Sequence, residues 1–278
     1  MILNRNKKGR IEKLYDDEYM KGLCEEYSKK RNIKEISERE GIPKATLYYY
    51  ARKFELNKPR RVYELNENYF ENINSQNKAY ILGFIMADGC ICKSTNDKKE
   101  ADRLIIQISH KDRNILDFIQ KELNSNYKIR DFIPTTTFAN NMMSTLTINS
   151  TKLCRDLVAL GVVPNKTGKE QIPNIRSNLK RHFIRGFLDG DGWITKSNNV
   201  TTIGFISNRE MLIQIKEEIN SSLDIHGVAT IHEDTRDDRK NKNIFYLNYS
   251  HSKDIIQLKK YLYDKANFYL ERKASKLT

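Results

Sequence analysis

RHFIRGFLDGDGWI, residues 181–194, is an apolar stretch with two glycines four apart, Gly186 and Gly190. It finishes on a carboxylate, Asp191, held between glycines. A helix buried only to fill a core wants neither feature. Glycine weakens a helix interior by about 1 kcal/mol, and an acid at the C-terminal end meets the negative pole of the helix dipole. The stretch makes sense beside its counterparts elsewhere in the chain. ILGFIMADG (81–89) matches IRGFLDGDG (184–192), ISHKD (108–112) matches ISNRE (206–210), and LTINSTK (146–152) matches LNYSHSK (247–253). Three blocks in one order, offset by 103, 98 and 101 residues, make residues 70–278 a duplicated unit.

Each copy reads in the same coarse order. An apolar helix ending in Asp-Gly comes first, then a strand (103–108; 200–206) and a helix (112–123; 208–221). Two further strands (127–133 and 144–148; 227–232 and 244–249) and a closing helix (151–160; 252–263) complete it. The fold class is α+β, a pair of pseudo-symmetric repeats. PNKTGKEQIPNIRSN (164–178) reads as the connection between them, and the polar stretches 93–102 and 234–243 as hairpin tips. Gly83 and Ala87, like Gly186 and Gly190, are small residues four apart on one helical face, which lets two backbones approach closely. The two motif helices are therefore expected to pack about a pseudo-twofold axis, with Asp88 and Asp191 side by side at their C-terminal ends.

Two neighbouring carboxylates repel, and each is opposed by its own helix dipole. A divalent cation reverses that balance: Mg²⁺, or another hard ion such as Mn²⁺, takes a few carboxylate oxygens and leaves its other positions to water and phosphate. Metals bridging a phosphodiester activate water and stabilise the leaving oxygen. The chemistry inferred is phosphodiester hydrolysis. Asp189 sits where the first copy has Met86, so it is read as structural or as a support behind the metal ligands, not as catalytic.

ILGFIMADG and IRGFLDGDG resemble the two signature helices of the LAGLIDADG homing endonucleases, in the single-chain form carrying both copies. The resemblance covers about residues 70–278. It implies αββαββα units with saddle-shaped antiparallel sheets gripping the major groove of double-stranded DNA, and metal-dependent cutting of both strands. It assigns the metal to Asp88 and Asp191, with Gly89 and Gly192 counted in the metal site. Matching VPNKT with LERKA places the family's basic residues at Lys166 and Lys273, with Lys169 and Arg272 as neighbouring alternatives. A non-cleaving transcription regulator on the same scaffold, or an intron RNA maturase, is the alternative function.

The N-terminal segment adds a separate element. IKEISEREGIPKATLYYYARKFEL (33–56) reads as helix, turn at Gly41, helix, with Pro43 in the first turn of the second. It resembles a helix-turn-helix, although Ser37 stands where alanine is common. Lys44, Thr46, Tyr48, Tyr49, Arg52 and Lys53 are the outward residues expected to reach phosphates and base edges. Residues 1–60 carry 16 Lys and Arg against 10 Asp and Glu, a net of +6, leaving +7 for the 218 residues that follow. NKPRRVYELNEN (57–68) reads as a basic linker. The expected domains are 1–60, 61–170 and 171–278.

A net charge of +13 with pI near 9.4 points to a polyanionic partner. No apolar run is long enough for a membrane span, and the opening MILNRNKKGR is not a secretory signal. The chain reads as cytoplasmic, nucleoid-associated and monomeric. Its four cysteines lack zinc spacing, its histidines lack H-E-x-x-H spacing, and no phosphate-binding P-loop occurs. Trp193 is expected to anchor the end of the second motif helix.

Overall fold

A small apolar nucleus gathers the helices of the N-terminal segment. The computed structural model describes residues 2–5, 11–30, 33–56, 63–135, 141–235 and 243–277, in two compact units, Met1–Val62 and Tyr63–Thr278. In the first, β1 (Ile2–Arg5) pairs antiparallel with β2 (Ile11–Leu14), and α1 (Asp17–Lys30), α2 (Ile33–Glu40) and α3 (Lys44–Lys53) follow. Met20, Leu23 and Cys24 of α1 meet Ile33 and Ile36 of α2 and Leu47, Tyr50 and Ala51 of α3. Helix α1 and the strand pair go beyond the sequence reading, although Met20, Leu23, Cys24 and Tyr27 show helical spacing. Ser37 Oγ donates to the carbonyl of Ile42 at 2.7 Å, so the serine closes the α2–α3 turn. The expected linker lies outside the described residues as far as position 62.

The second unit runs α4 (Gln76–Asp88), β3 (Gly89–Cys92), β4 (Arg103–Ser109), α5 (Asn114–Glu122), β5 (Arg130–Phe132), β6 (Met143–Asn149) and α6 (Thr151–Ala159). The order then repeats as α7 (Ser177–Asp191), β7 (Gly192–Ser197), β8 (Val200–Ser207), α8 (Arg209–Ser222), β9 (Ile231–Glu233), β10 (Phe245–Tyr249) and α9 (Ser252–Tyr263), with a short α10 (Glu271–Ala274). The sheets have one topology twice, β3-β4-β6-β5 and β7-β8-β10-β9, every pairing antiparallel. Each copy is αββαββα. The outer strands β5 and β9 are only three residues long, shorter than the sequence suggested, and α5 starts two residues later. Of the polar stretch 234–243, residues 236–242 lie outside the description. Among the described residues no helix is long and apolar enough to cross a membrane.

One core serves both copies. Leu104, Ile106, Ile108, Leu146 and Ile148 line the inner face of the first sheet, and Ile203, Phe205 and Leu247 that of the second. Between them run α4 and α7. Every residue of α4 from Ala79 to Ala87 is buried, as expected for a helix apolar on all sides. A methyl group on Gly83 would fall on the carbonyl of Phe183, and one on Gly186 on the carbonyl of Tyr80, its mirror contact. Each site also lies 3.0 Å from a backbone nitrogen across the interface, Phe187 and Phe84 respectively. Backbone meets backbone, and no side chain fits.

Strand register departs by one residue from the sequence match. Gly89 pairs with Ile106 and Gly192 with Phe205, an offset of 99 where ISHKD and ISNRE are offset by 98. Ile108 therefore points into the core while Ile206, its apparent twin, lies on the opposite face of its sheet. A one-residue shift exchanges faces because side chains alternate along a strand.

Gly186→Ala is expected to lower unfolding free energy by about 3 kcal/mol or more, because the new methyl has only backbone to displace. Urea denaturation of the full chain, with Gly22→Ala as the open-site control, measures it.

Candidate active site

The acids close their helices. α4 ends at Asp88 and α7 at Asp191, and Gly89 and Gly192 turn the chain directly into β3 and β7. Both carboxylates are half-buried. A side chain at Gly190 would press on the methyl of Ala87 and come 3.1 Å from Asp88 Oδ2. The small residue of one helix thus makes room for the acid of the other. Burial pushes Asp88 up to about 6, with the charge of Asp191 adding to the rise and Lys273 and Lys166 opposing it. Asp191 is also raised by burial, against the pull of Lys166 and Lys273. These four charged groups share one electrostatic neighbourhood.

The lysines reach the helix ends by equivalent routes. Lys166 Nζ donates to the carbonyl of Ala87 at 2.6 Å. Lys273 Nζ reaches four carbonyls at the end of α7: Asp189 at 2.6 Å, Leu188 and Gly192 at 2.7 Å, and Gly190 at 3.3 Å. An ammonium there satisfies orphan carbonyls and faces the negative pole of the dipole. Burial lowers Lys273 to about 8, so it stays protonated at neutral pH. Lys273 is only 4% exposed, whereas Lys166 is half-buried. Among the described residues no group of three or more His, Cys, Asp or Glu side chains stands ready to hold a metal. What stands here is an acid pair flanked by two lysines.

Residues 178–263 match the LAGLIDADG-like domain family. The match spans α7 to α9, the second αββαββα copy, and α4 to α6 repeat that element order. Similar solved structures include the homing endonuclease I-WcaI bound to its DNA recognition sequence, at 14% identity over 76% of this chain and 91% of that one, TM-score 0.49. The LAGLIDADG meganuclease I-AabMI bound to uncleaved DNA is similar at 18% identity over 71% and 86%, TM-score 0.45. I-SmaMI bound to cleaved DNA is similar at 12% identity over 74% and 87%, TM-score 0.45. Comparison with curated proteins gives no match.

The two copies are fastened to each other by their tails. Arg272, beside Lys273, makes a two-pronged ion pair with Asp112 of the first copy, at 2.8 and 2.6 Å. Glu170, following Lys166, accepts from Asn208 of the second copy at 2.7 Å. Arg272 is thereby occupied, and Lys169 is exposed. Asp112 and Glu170 did not emerge from the sequence, because only the three-dimensional return of each tail brings them to the site. Asp189 is buried, accepting from Tyr80 Oη at 2.7 Å and from the amide of Leu270 at 2.9 Å. Arg185 lies over the Tyr80 ring at 5.1 Å, and with Lys273 it opposes the burial that raises Asp189. Gly192 gives its carbonyl to Lys273, while Gly89 and Gly192 open their strands by pairing with Ile106 and Phe205.

Of the residues expected to be outward on α3, Lys44, Tyr48, Tyr49 and Arg52 are exposed. Thr46 is half-buried at the edge of the apolar face, and the Tyr48 ring meets the edge of Tyr27. Lys53 is exposed but turns back onto Asp17 at 2.5 Å and lies over the Tyr50 and Phe54 rings, so it works within its own unit.

Two measurements probe the charges. Lys273→Met strands four carbonyls and should cost about 2 kcal/mol or more, whereas Lys166→Met, losing one bond, should cost about 1; thermal unfolding of each separates them. In metal-free buffer, Asp88→Asn should raise the melting temperature at pH 7.5 and not at pH 4. The folded protein holds the Asp88 proton up to about pH 6, so between the unfolded and folded pKa values wild-type stability falls as pH rises. An amide removes that loss.

Proposed function

We propose that the chain is a site-specific, metal-dependent endonuclease that hydrolyses both strands of double-stranded DNA. The observation that carries this reading is the meeting of Asp88 and Asp191 at the ends of two helices in backbone contact, half-buried and both raised by burial. Nothing in folding favours that placement. Asp88 and Asp191 would hold a divalent cation, Mg²⁺ or Mn²⁺, which when bound supplies charge neutralisation and Lewis acidity at a scissile phosphate. An ion held by two acids would have few protein ligands and would keep positions for water and phosphate oxygens.

The chain's own groups do the rest. Lys166 uses one N–H on Ala87, leaving two directions open among the described residues for a phosphate oxygen. Lys273, spent on four carbonyls, fixes the end of α7 and the position of Asp191. Because β3 and β7 leave directly from the acids, the outer faces of the two sheets would flank a phosphate held there and meet base edges on either side. One chain supplies both acids, which agrees with action as a monomer. The excess of 13 positive charges suits a phosphate backbone. Lys44, Tyr48, Tyr49 and Arg52 of α3, in a helix-turn-helix unit, add a tethered second contact that lengthens the footprint.

The test uses the full chain, Mg²⁺ and a plasmid library carrying randomised sites. Wild type should linearise a recoverable subset. Asp88→Asn and Asp191→Asn should each lose about a thousandfold in double-strand cleavage, ~4 kcal/mol of barrier, while binding the recovered duplex; Arg52→Ala should weaken binding and spare cleavage of bound DNA. Binding without cleavage by wild type would identify a regulator instead, and preference for folded intron RNA a maturase.

A further inference from the structure

The two sheets share a topology but not a surface. Their registers make the outer faces comparable position by position: Cys90 lies opposite Ile105 as Trp193 lies opposite Gly204, and Gln107 opposite Thr145 as Ile206 lies opposite Tyr246. Arg130 opposite Thr145 corresponds to His232 opposite Tyr246. Where the first sheet presents an amide, a hydroxyl and a guanidinium, the second presents a branched alkyl group, a phenol and an imidazole. The imidazole of His232 stacks on Tyr246 with ring centres 5.1 Å apart. The Trp193 indole covers Gly204, filling the space any side chain there would take. Trp193 thus forms surface on the sheet rather than anchoring the helix end.

Trp193, Ile206 and Tyr246 line an open recess together with Glu233, Asp234 and Thr235. Among the described residues its lining holds no Lys or Arg, so it offers a phosphate no counter-charge. It begins two residues from Asp191 along β7, so a duplex whose phosphate reached the acid pair would bring a neighbouring base pair close to it. In the major groove the one apolar group on a base edge is the 5-methyl of thymine. Resting on the endonuclease reading, we propose that the C-terminal sheet recognises thymine through its 5-methyl group, seated on Trp193, Ile206 and Tyr246. The N-terminal sheet reads by hydrogen bonds from Gln107, Thr145 and Arg130. The target is then two chemically unlike half-sites, one with thymine at the position that faces the recess.

Duplexes bound by the full-length Asp88→Asn chain, selected from a randomised pool, provide the test. Thymine is then replaced by uracil, which removes only the methyl, in one half-site at a time. In one half replacement at a single position should weaken binding about fourfold, the worth of one buried methyl; in the other it should change nothing. Ile206→Gln, which installs the residue of the equivalent position, should abolish the uracil penalty and shift preference in that half towards adenine. Its melting temperature and its affinity for the unaltered half report that the fold is intact. Uracil tolerated equally in both halves overturns the proposal while leaving the endonuclease reading in place, as does a penalty that Ile206→Gln and Trp193→Gln leave unchanged. Selection of no duplex at all overturns the endonuclease reading itself.

Discussion

The contact between the backbones of α4 and α7 is the constraint from which the rest follows. Helices whose side chains interdigitate keep their axes 8–10 Å apart; glycine at positions 83 and 186 removes that spacer, so each carbonyl of the opposing helix takes the place of a side chain. Apolar residues on every other face of α4 leave the helix no exposed side, and both sheets close over the pair. Position, not affinity for metal, is what the fold fixes first.

That position has an electrostatic cost at the helix ends, and the chain meets it from two later segments. Each acid sits at a dipole's negative pole in a partly dry setting, and each helix end receives a lysine from the tail of its own copy. The two lysines are not equivalent. Lys273 is sealed in by four carbonyls and the buried Asp189 network, while Lys166 stays accessible with one bond. Asp189, where the first copy has Met86, accompanies this asymmetry: it is a buried acid within α7, with Tyr80 on its carboxylate and Arg185 and Lys273 nearby.

Much of this was legible because duplication turns weak signals into strong ones. A single small-xxx-small pattern says little, but two copies with an acid after each bring Asp88 and Asp191 together by spacing alone. Lys166 and Lys273 were singled out by the family resemblance carried onto matching segments, and their bonds to the helix-end carbonyls were not legible. Reading by duplication failed where local similarity and strand register disagree: ISHKD and ISNRE align Ile108 with Ile206, yet pleating sends one inward and the other out. It also missed Asp112 and Glu170, whose partners lie 160 and 38 residues away. On α3 the exposed face was read from helical periodicity, but Lys53 was not distinguished from Arg52 because its partner Asp17 belongs to a helix outside that reading.

The paired tails have a consequence for how the molecule holds together. Arg272 ties the end of the second copy to Asp112 in the first, and Glu170 ties the end of the first to Asn208 in the second. Each copy is therefore completed by the other, in the manner of two hands each fastening the opposite cuff. Separated halves would expose the glycine-lined helix and leave a buried carboxylate and a buried amide without their mates. The duplicated chain can thus accumulate differences on its outer surfaces, which touch nothing internal, while the join between its halves tolerates almost none.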